Sequence, residues 1–148
     1  MRILILIFLV ITACSPKATN DENTLAGISD PEVMKYAIEG KRLYENYCAN
    51  CHQSTGEGLG KLIPPLKNAD YFRESISRTA WIMRNGQKGE ILVNGQAYNQ
   101  AMPANPNLTP LEISQISTYL YNIWGMSEGV ILSSEVETYL KKEPEGLN

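Results

Sequence analysis

Apolar positions divide the chain into stretches of different period. Residues 3–11 form an unbroken apolar run behind Arg2 and give way to Thr12, Ala13 and Cys14. That run is well short of the roughly 17 to 25 residues a helix needs to cross a bilayer. Residues 15–29 are polar and aperiodic, with Asn20, Asp21, Glu22 and Asn23 in succession, the composition of a tether and not of a core. From Asp30 the pattern turns helical: Val33, Ala37, Gly40, Tyr44 and Tyr47 recur at alternating intervals of four and three, which predicts one buried face. Asp30 followed by Pro31 supplies an N-cap and a first-turn proline, and Ser29 with Glu32 offers a rival capping box one residue earlier.

The middle of the chain is less regular. Ile76, Ala80 and Met83, with Tyr71 and Phe72, can share one side of a short helix that stops near Asn85-Gly86. Ile91, Leu92 and Val93 lead to the turn signal Asn94-Gly95, and Tyr98 and Met102-Pro103 follow. The next helix has a sharp start, because Thr109-Pro110-Leu111-Glu112 combines an N-cap, a first-turn proline and a reciprocal Glu. Its apolar stripe is Ile113, Ile116, Leu120, Ile123 and Trp124, with Tyr119 beside it, and glycines near 125 and 129 end it. A last short helix is expected from about Ser134 to Leu140, capped by Ser134 and Glu137, with Val136 and Leu140 apolar.

Composition narrows the picture. At 148 residues one hydrophobic domain is the natural expectation, and a formal charge of -3 removes the basic field a duplex binder relies on, so no nucleic-acid partner is expected. The N-terminal segment reads as a secretory signal. Its end, Val10-Ile11-Thr12-Ala13-Cys14, resembles the lipobox of bacterial lipoproteins, which implies lipid on Cys14. Simple cleavage at an Ala-x-Ala-like site, leaving a free thiol, is the alternative. The chain divides accordingly into a signal at 1–13, a tether at 14–29, a domain at 30–124 and a helical extension at 125–148.

The candidate chemistry stands where the first helix ends, at Cys48-Ala49-Asn50-Cys51-His52. Two cysteines three residues apart can reach two vinyl groups on one porphyrin edge, and the adjacent histidine can turn its ring beneath the iron, so the spacing reads as attachment of one covalent haem c. A thioredoxin-like pair would need a preceding strand, a structural zinc site about four ligands where three stand here, and a Cys48–Cys51 disulfide is the remaining reading.

These residues resemble the cytochrome c family, in its small single-haem bacterial class. Gly40, Tyr44, Cys48, Cys51 and His52 match the family's run of glycine, aromatic and haem-binding positions, and Gly56 and Gly58 match its small-residue turn. The resemblance implies an all-α fold in which the first and last helices cross at Gly40, with Tyr119 the candidate to pack there. It implies that the Pro64 carbonyl accepts a bond from the proximal His52, that Leu66 and Tyr98 lie against the haem, and that Met102 is the distal iron ligand. Exclusion agrees: Met34 lies on the helix already tied to the haem through Cys48, Met83 falls on a core-facing side, and Met126 comes after the last helix. Trp81 could reach a haem propionate through its indole N–H, with ordinary packing as its other use.

The resemblance further implies an electron carrier and no enzyme. His52 is the only histidine, so two histidine ligands cannot come from one chain. The expected function is a cytochrome tethered to a bacterial membrane and facing the periplasm, shuttling single electrons between redox protein partners of the cell envelope. The alternative is a c-type haem protein that binds a gas or peroxide through a weak or absent methionine ligand.

Overall fold

The computed structural model describes residues 24–126, 128–145 and 147. Cys14 and the first part of the tether lie outside the described residues. Six helices and one hairpin follow in order: α1 (Pro31–Tyr47), α2 (Ala49–His52), α3 (Asp70–Arg73), α4 (Ile76–Asn85), β1 (Ile91–Val93), β2 (Gln96–Tyr98), α5 (Pro110–Ile123) and α6 (Ser133–Tyr139). Among the described residues, a 3-10 turn, Leu25–Gly27, precedes them.

Helix α1 begins where Asp30 can satisfy two amide groups that have no intrahelical acceptor: its carboxylate accepts from Glu32 N at 2.8 Å and Val33 N at 3.0 Å. Asp30, and not Ser29, is therefore the cap. The buried face is Val33, Ala37, Gly40, Leu43 and Tyr44. Tyr47, expected on that face, is 49% exposed. A stripe drawn at strict heptad spacing drifts round a helix of 3.6 residues per turn, and by Tyr47 the chain has passed the crossing with α5, so Leu43 takes the inward place.

That crossing is the largest helix–helix interface among the described residues. It is centred on Gly40, where a Cβ would overlap the carbonyl oxygen of Gln115 and stand 2.8 Å from Tyr119 Cβ. Helix α5 starts with the full reciprocal cap, Glu112 N donating to Thr109 Oγ1 at 3.2 Å and Thr109 N donating to Glu112 at 2.8 Å. Tyr44, Tyr119 and Trp124 then meet with ring centroids 5.4 to 5.8 Å apart, closing the α1–α5 contact with aromatic edges.

The middle of the chain departs from the sequence reading in two places. Tyr71 and Phe72 belong to a separate turn, α3, because Ser75 intervenes as a new cap and accepts from Arg78 N at 3.1 Å. Residues 91–98 form a small antiparallel hairpin, so the fold is predominantly, though not wholly, α-helical. Asn94 (φ 50°) and Gly95 (φ 76°) both occupy the left-handed region that a two-residue hairpin turn requires.

The tail is packed onto the domain. Helix α6 spans Ser133–Tyr139, one residue earlier than expected, and its cap comes from Glu135, whose carboxylate accepts from Leu132 N at 2.8 Å; Ser134 and Glu137 do not supply it. Val136 is fully buried, and Leu140 is partly buried against the core. Ahead of α6, the backbone of residues 129–131 lies along α5: Ser114 Oγ donates to Ile131 O, Thr118 Oγ1 accepts from Ile131 N, and the Asn122 amide bonds both polar groups of Gly129.

Candidate haem site

The first wall of the site is the end of α1 and the turn that follows. Cys48 N still bonds Tyr44 O, and Cys51 N and His52 N both donate to Cys48 O, at 3.1 and 2.9 Å. This single turn places Cys48 and Cys51 side by side at helical spacing. Cys51 is exposed, Cys48 is half-buried, and both thiols are free. Burial pushes the Cys48 thiol up to about 12, with the neighbouring Cys51 adding to the rise. A thiol held neutral in this way is a poor nucleophile for thioredoxin-type exchange, which needs a lowered value. Among the described residues no group of three or more His, Cys, Asp or Glu side chains converges as a metal cluster would require.

His52 is 7% exposed. Burial lowers its pKa below the ordinary imidazole value, opposed by a bond to the Pro64 backbone. Its Nδ1 lies 3.2 Å from the Pro64 carbonyl oxygen. A carbonyl can only accept, so Nδ1 carries the proton and Nε2 keeps its lone pair for a metal. Gly58 makes this approach possible: a Cβ there would stand 2.6 Å from the Pro64 oxygen. Gly56 serves the same loop from its other side, where a Cβ would meet the Trp124 ring at 2.7 Å. The Tyr44 hydroxyl donates to Gln53 O at 2.5 Å, tying the loop's first residue back to α1.

The second wall comes from α4, the hairpin and the segment before α5. Together the walls enclose a cavity of about 430 Å³, in the range of small-molecule and cofactor sites. Cys48, Cys51, His52, Pro64, Leu66, Tyr98 and Met102 all line it. Tyr98 is buried, and its hydroxyl reaches Gly60 O at 3.4 Å. Met83 also lines the cavity, from α4, whereas Met34 and Met126 do not.

A profile of the cytochrome c family matches residues 37–124, more than half of the chain. The chain belongs to the cytochrome c family. Two relatives from Thermus thermophilus, each named cytochrome c-552 and one of them from a designated strain of that species, are 29% identical to it over 98 residues. The matched stretch is 62% of this chain and 72% and 64% of the two relatives. Members of this family hold covalently bound haem c and carry electrons; they are not enzymes, and the general role of this c-type cytochrome is electron transfer.

The cavity of this cytochrome fits that group by the chemistry of its walls. Two thiols stand on one rim, a neutral imidazole and a thioether line the interior, and most of the remaining surface is apolar. A buried Tyr71 hydroxyl in the lining has no hydrogen-bond partner among the described residues, which is a place for a polar substituent of a bound molecule. Trp81, for which the sequence offered either a propionate contact or ordinary packing, is not among the cavity's lining residues. Sequence reasoning also missed Gln87, Thr79 and Asn105 as wall residues. Only Gln87 carried a usable signal, its place directly after the glycine that ends α4.

Proposed function

We propose that this cytochrome is a membrane-tethered, single-haem carrier that passes single electrons between redox protein partners of the cell envelope. Cys48 and Cys51 would hold the haem through thioethers, with His52 and Met102 as iron ligands. The observation that carries this reading is the convergence of all seven positions named from the sequence on one cavity. When bound, the group supplies a one-electron iron couple, whose potential a methionine ligand raises relative to a harder donor. The protein's own contribution is to orient. The Pro64 carbonyl fixes the His52 ring and its tautomer, and Leu66, Phe72, Val93 and Leu120 line the interior with apolar surface that lowers the local dielectric. The Tyr71 hydroxyl offers a proton to an acidic substituent.

Lipid on Cys14 would supply the anchor, since each acyl CH₂ buried in a membrane contributes roughly 0.8 kcal/mol and more than one chain makes attachment durable. A net charge of -3 favours partners with positively charged docking surfaces. The reading is tested on protein expressed with a cytochrome c maturation system. Haem should stay with the polypeptide through denaturation and organic extraction, and the mature N-terminal peptide should have the mass of an acylated Cys14. Met102→Ala should abolish the long-wavelength iron–sulfur charge-transfer absorption of the oxidised protein and lower its potential. Retained absorption in that variant would move the ligand role to another methionine, Met83 first. Wild-type protein that binds carbon monoxide without prior ligand loss would favour the gas-binding alternative.

A further inference from the structure

The Met102 side of the cavity is held from a direction that spacing along the chain does not reveal. Helix α4 ends at Asn85, and its C-cap Gly86 has φ +80°, a conformation that side chains other than glycine's rarely adopt. A Cβ at Gly86 would stand 2.6 Å from the carbonyl oxygen of Met102 and 2.9 Å from Ala104 N. The next residue pairs with Met102 in both directions: Gln87 N–H donates to Met102 O at 3.0 Å, and Met102 N–H donates to Gln87 O at 2.9 Å. On the far side of Met102, Asn105 N donates to Met83 O at 3.3 Å, so α4 and the residues just after it hold the segment on both sides of Met102.

We propose that Gly86 and Gln87 are positioning residues for Met102, the end of α4 fixing the main chain from which the thioether enters the cavity. This rests on the reading of Met102 as the sixth ligand. A ligating group must be held within about 0.5 Å of its productive place. Residues 99–101 belong to no helix or strand, so the approach from the hairpin gives Met102 no such definition. The two-way pairing with Gln87 supplies it, and only a residue without a Cβ at 86 lets the two segments come so close. A side chain there would force the Met102 carbonyl back by roughly 1 Å to reach an ordinary contact of about 3.5 Å.

The test compares haem-loaded wild type, Gly86→Ala and Gly129→Ala. Gly129 has φ +76° with nothing among the described residues within 4 Å of the place an added methyl would occupy, so its substitution carries the same backbone strain with none of them displaced. The oxidised proteins are titrated with base while the iron–sulfur absorption is followed, and their potentials are measured. In Gly86→Ala the absorption should vanish at a pH about one unit lower, a tenfold weakening of methionine ligation, or about 1.4 kcal/mol, and the potential should fall. Gly129→Ala should shift neither, although its denaturation midpoint drops. Gln87→Pro, which deletes the N–H donated to Met102, should act in the same direction and gives a second route if Gly86→Ala does not assemble. If both α4-end variants keep the wild-type pH midpoint and potential while Met102→Ala abolishes the absorption, the ligand reading stands and the positioning role falls. An equal shift in Gly129→Ala would likewise overturn it, and retained absorption in Met102→Ala would remove the ligand reading itself.

Discussion

Gly40 shows what one residue can decide. Its place on the α1 stripe marked it in the sequence as a point of close approach, and the family resemblance made Tyr119 the candidate partner. The closest neighbour, though, is the Gln115 main chain, which no side-chain pattern announces. A main-chain carbonyl cannot turn aside as a rotamer does, so Gly40→Val should overpack the crossing by about 1 to 3 kcal/mol. The roughly 1 kcal/mol by which glycine is penalised in a helix relative to alanine offsets only part of this. Denaturant melts of the two proteins check it, and an unchanged midpoint would mean that the helices can slide apart without loss. The positions proposed to bind haem were legible for a different reason: Cys48, Cys51 and His52 are adjacent in sequence, so their chemistry needs no tertiary contact to be read.

At the scale of elements, legibility followed locality. The caps of α1 and α5 are four-residue chemistry and were readable, whereas β1 and β2 are three residues each, too short to show a period, and only their Asn94-Gly95 turn carried a signal. What holds that hairpin to α3 is non-local. The Asp70 carboxylate accepts from Asn94 N at 2.7 Å, and Asp70 N donates back to the Asn94 side chain at 3.1 Å. The bond from Asn94 N, seconded by that from Tyr71 N, holds the Asp70 carboxyl below its ordinary 3.8. A carboxyl with a depressed folded value contributes stability that is present above the unfolded value and is lost as pH falls through the folded one. Asp70→Asn should therefore show a smaller loss of stability than wild type between neutral pH and pH values below 3.8, measured as the difference in denaturation midpoint. An identical acid dependence in both would show that the exposed Asp70–Asn94 bridge is not maintained in solution. The tail's helix was legible to within a residue, but the way the tail is held was not. Ser114, Thr118 and Asn122 lie at intervals of four on α5, outside the apolar stripe, and they are the groups that receive the extended backbone of residues 129–131.

For the whole molecule, the cavity dominates the energetics. Its walls come from α1, α2, α3, α4, α5, the hairpin and the loops on either side, so nearly every element has one face on it. Leaving a rigid apolar void costs roughly 24 cal/mol per Å³, which for about 430 Å³ amounts to about 10 kcal/mol as an upper bound. The open rim beside Cys51 admits water and the walls can relax, so the real cost is a fraction of that. Even half of it rivals the total stability of a domain, about 5 to 15 kcal/mol. The helix crossing at Gly40 and the clamped tail do not touch the cavity directly and can persist on their own hydrogen bonds and packing, whereas α3, the hairpin and the Met102 segment each present a face to it, beside the bonds that tie α3 to α5 and the Met102 segment to the end of α4. Removal of haem should thus act unequally. In a Cys48→Ser, Cys51→Ser double variant produced without haem, amide exchange should stay slow in the middle of α1 and α5 and become fast through residues 62–105. Far-UV circular dichroism should retain most of its helical signal while near-UV signals from Tyr71 and Tyr98 are lost. Uniform protection across both regions would show that the walls hold each other without a bound group, and that the cavity is a preformed socket instead of a core completed by its cofactor.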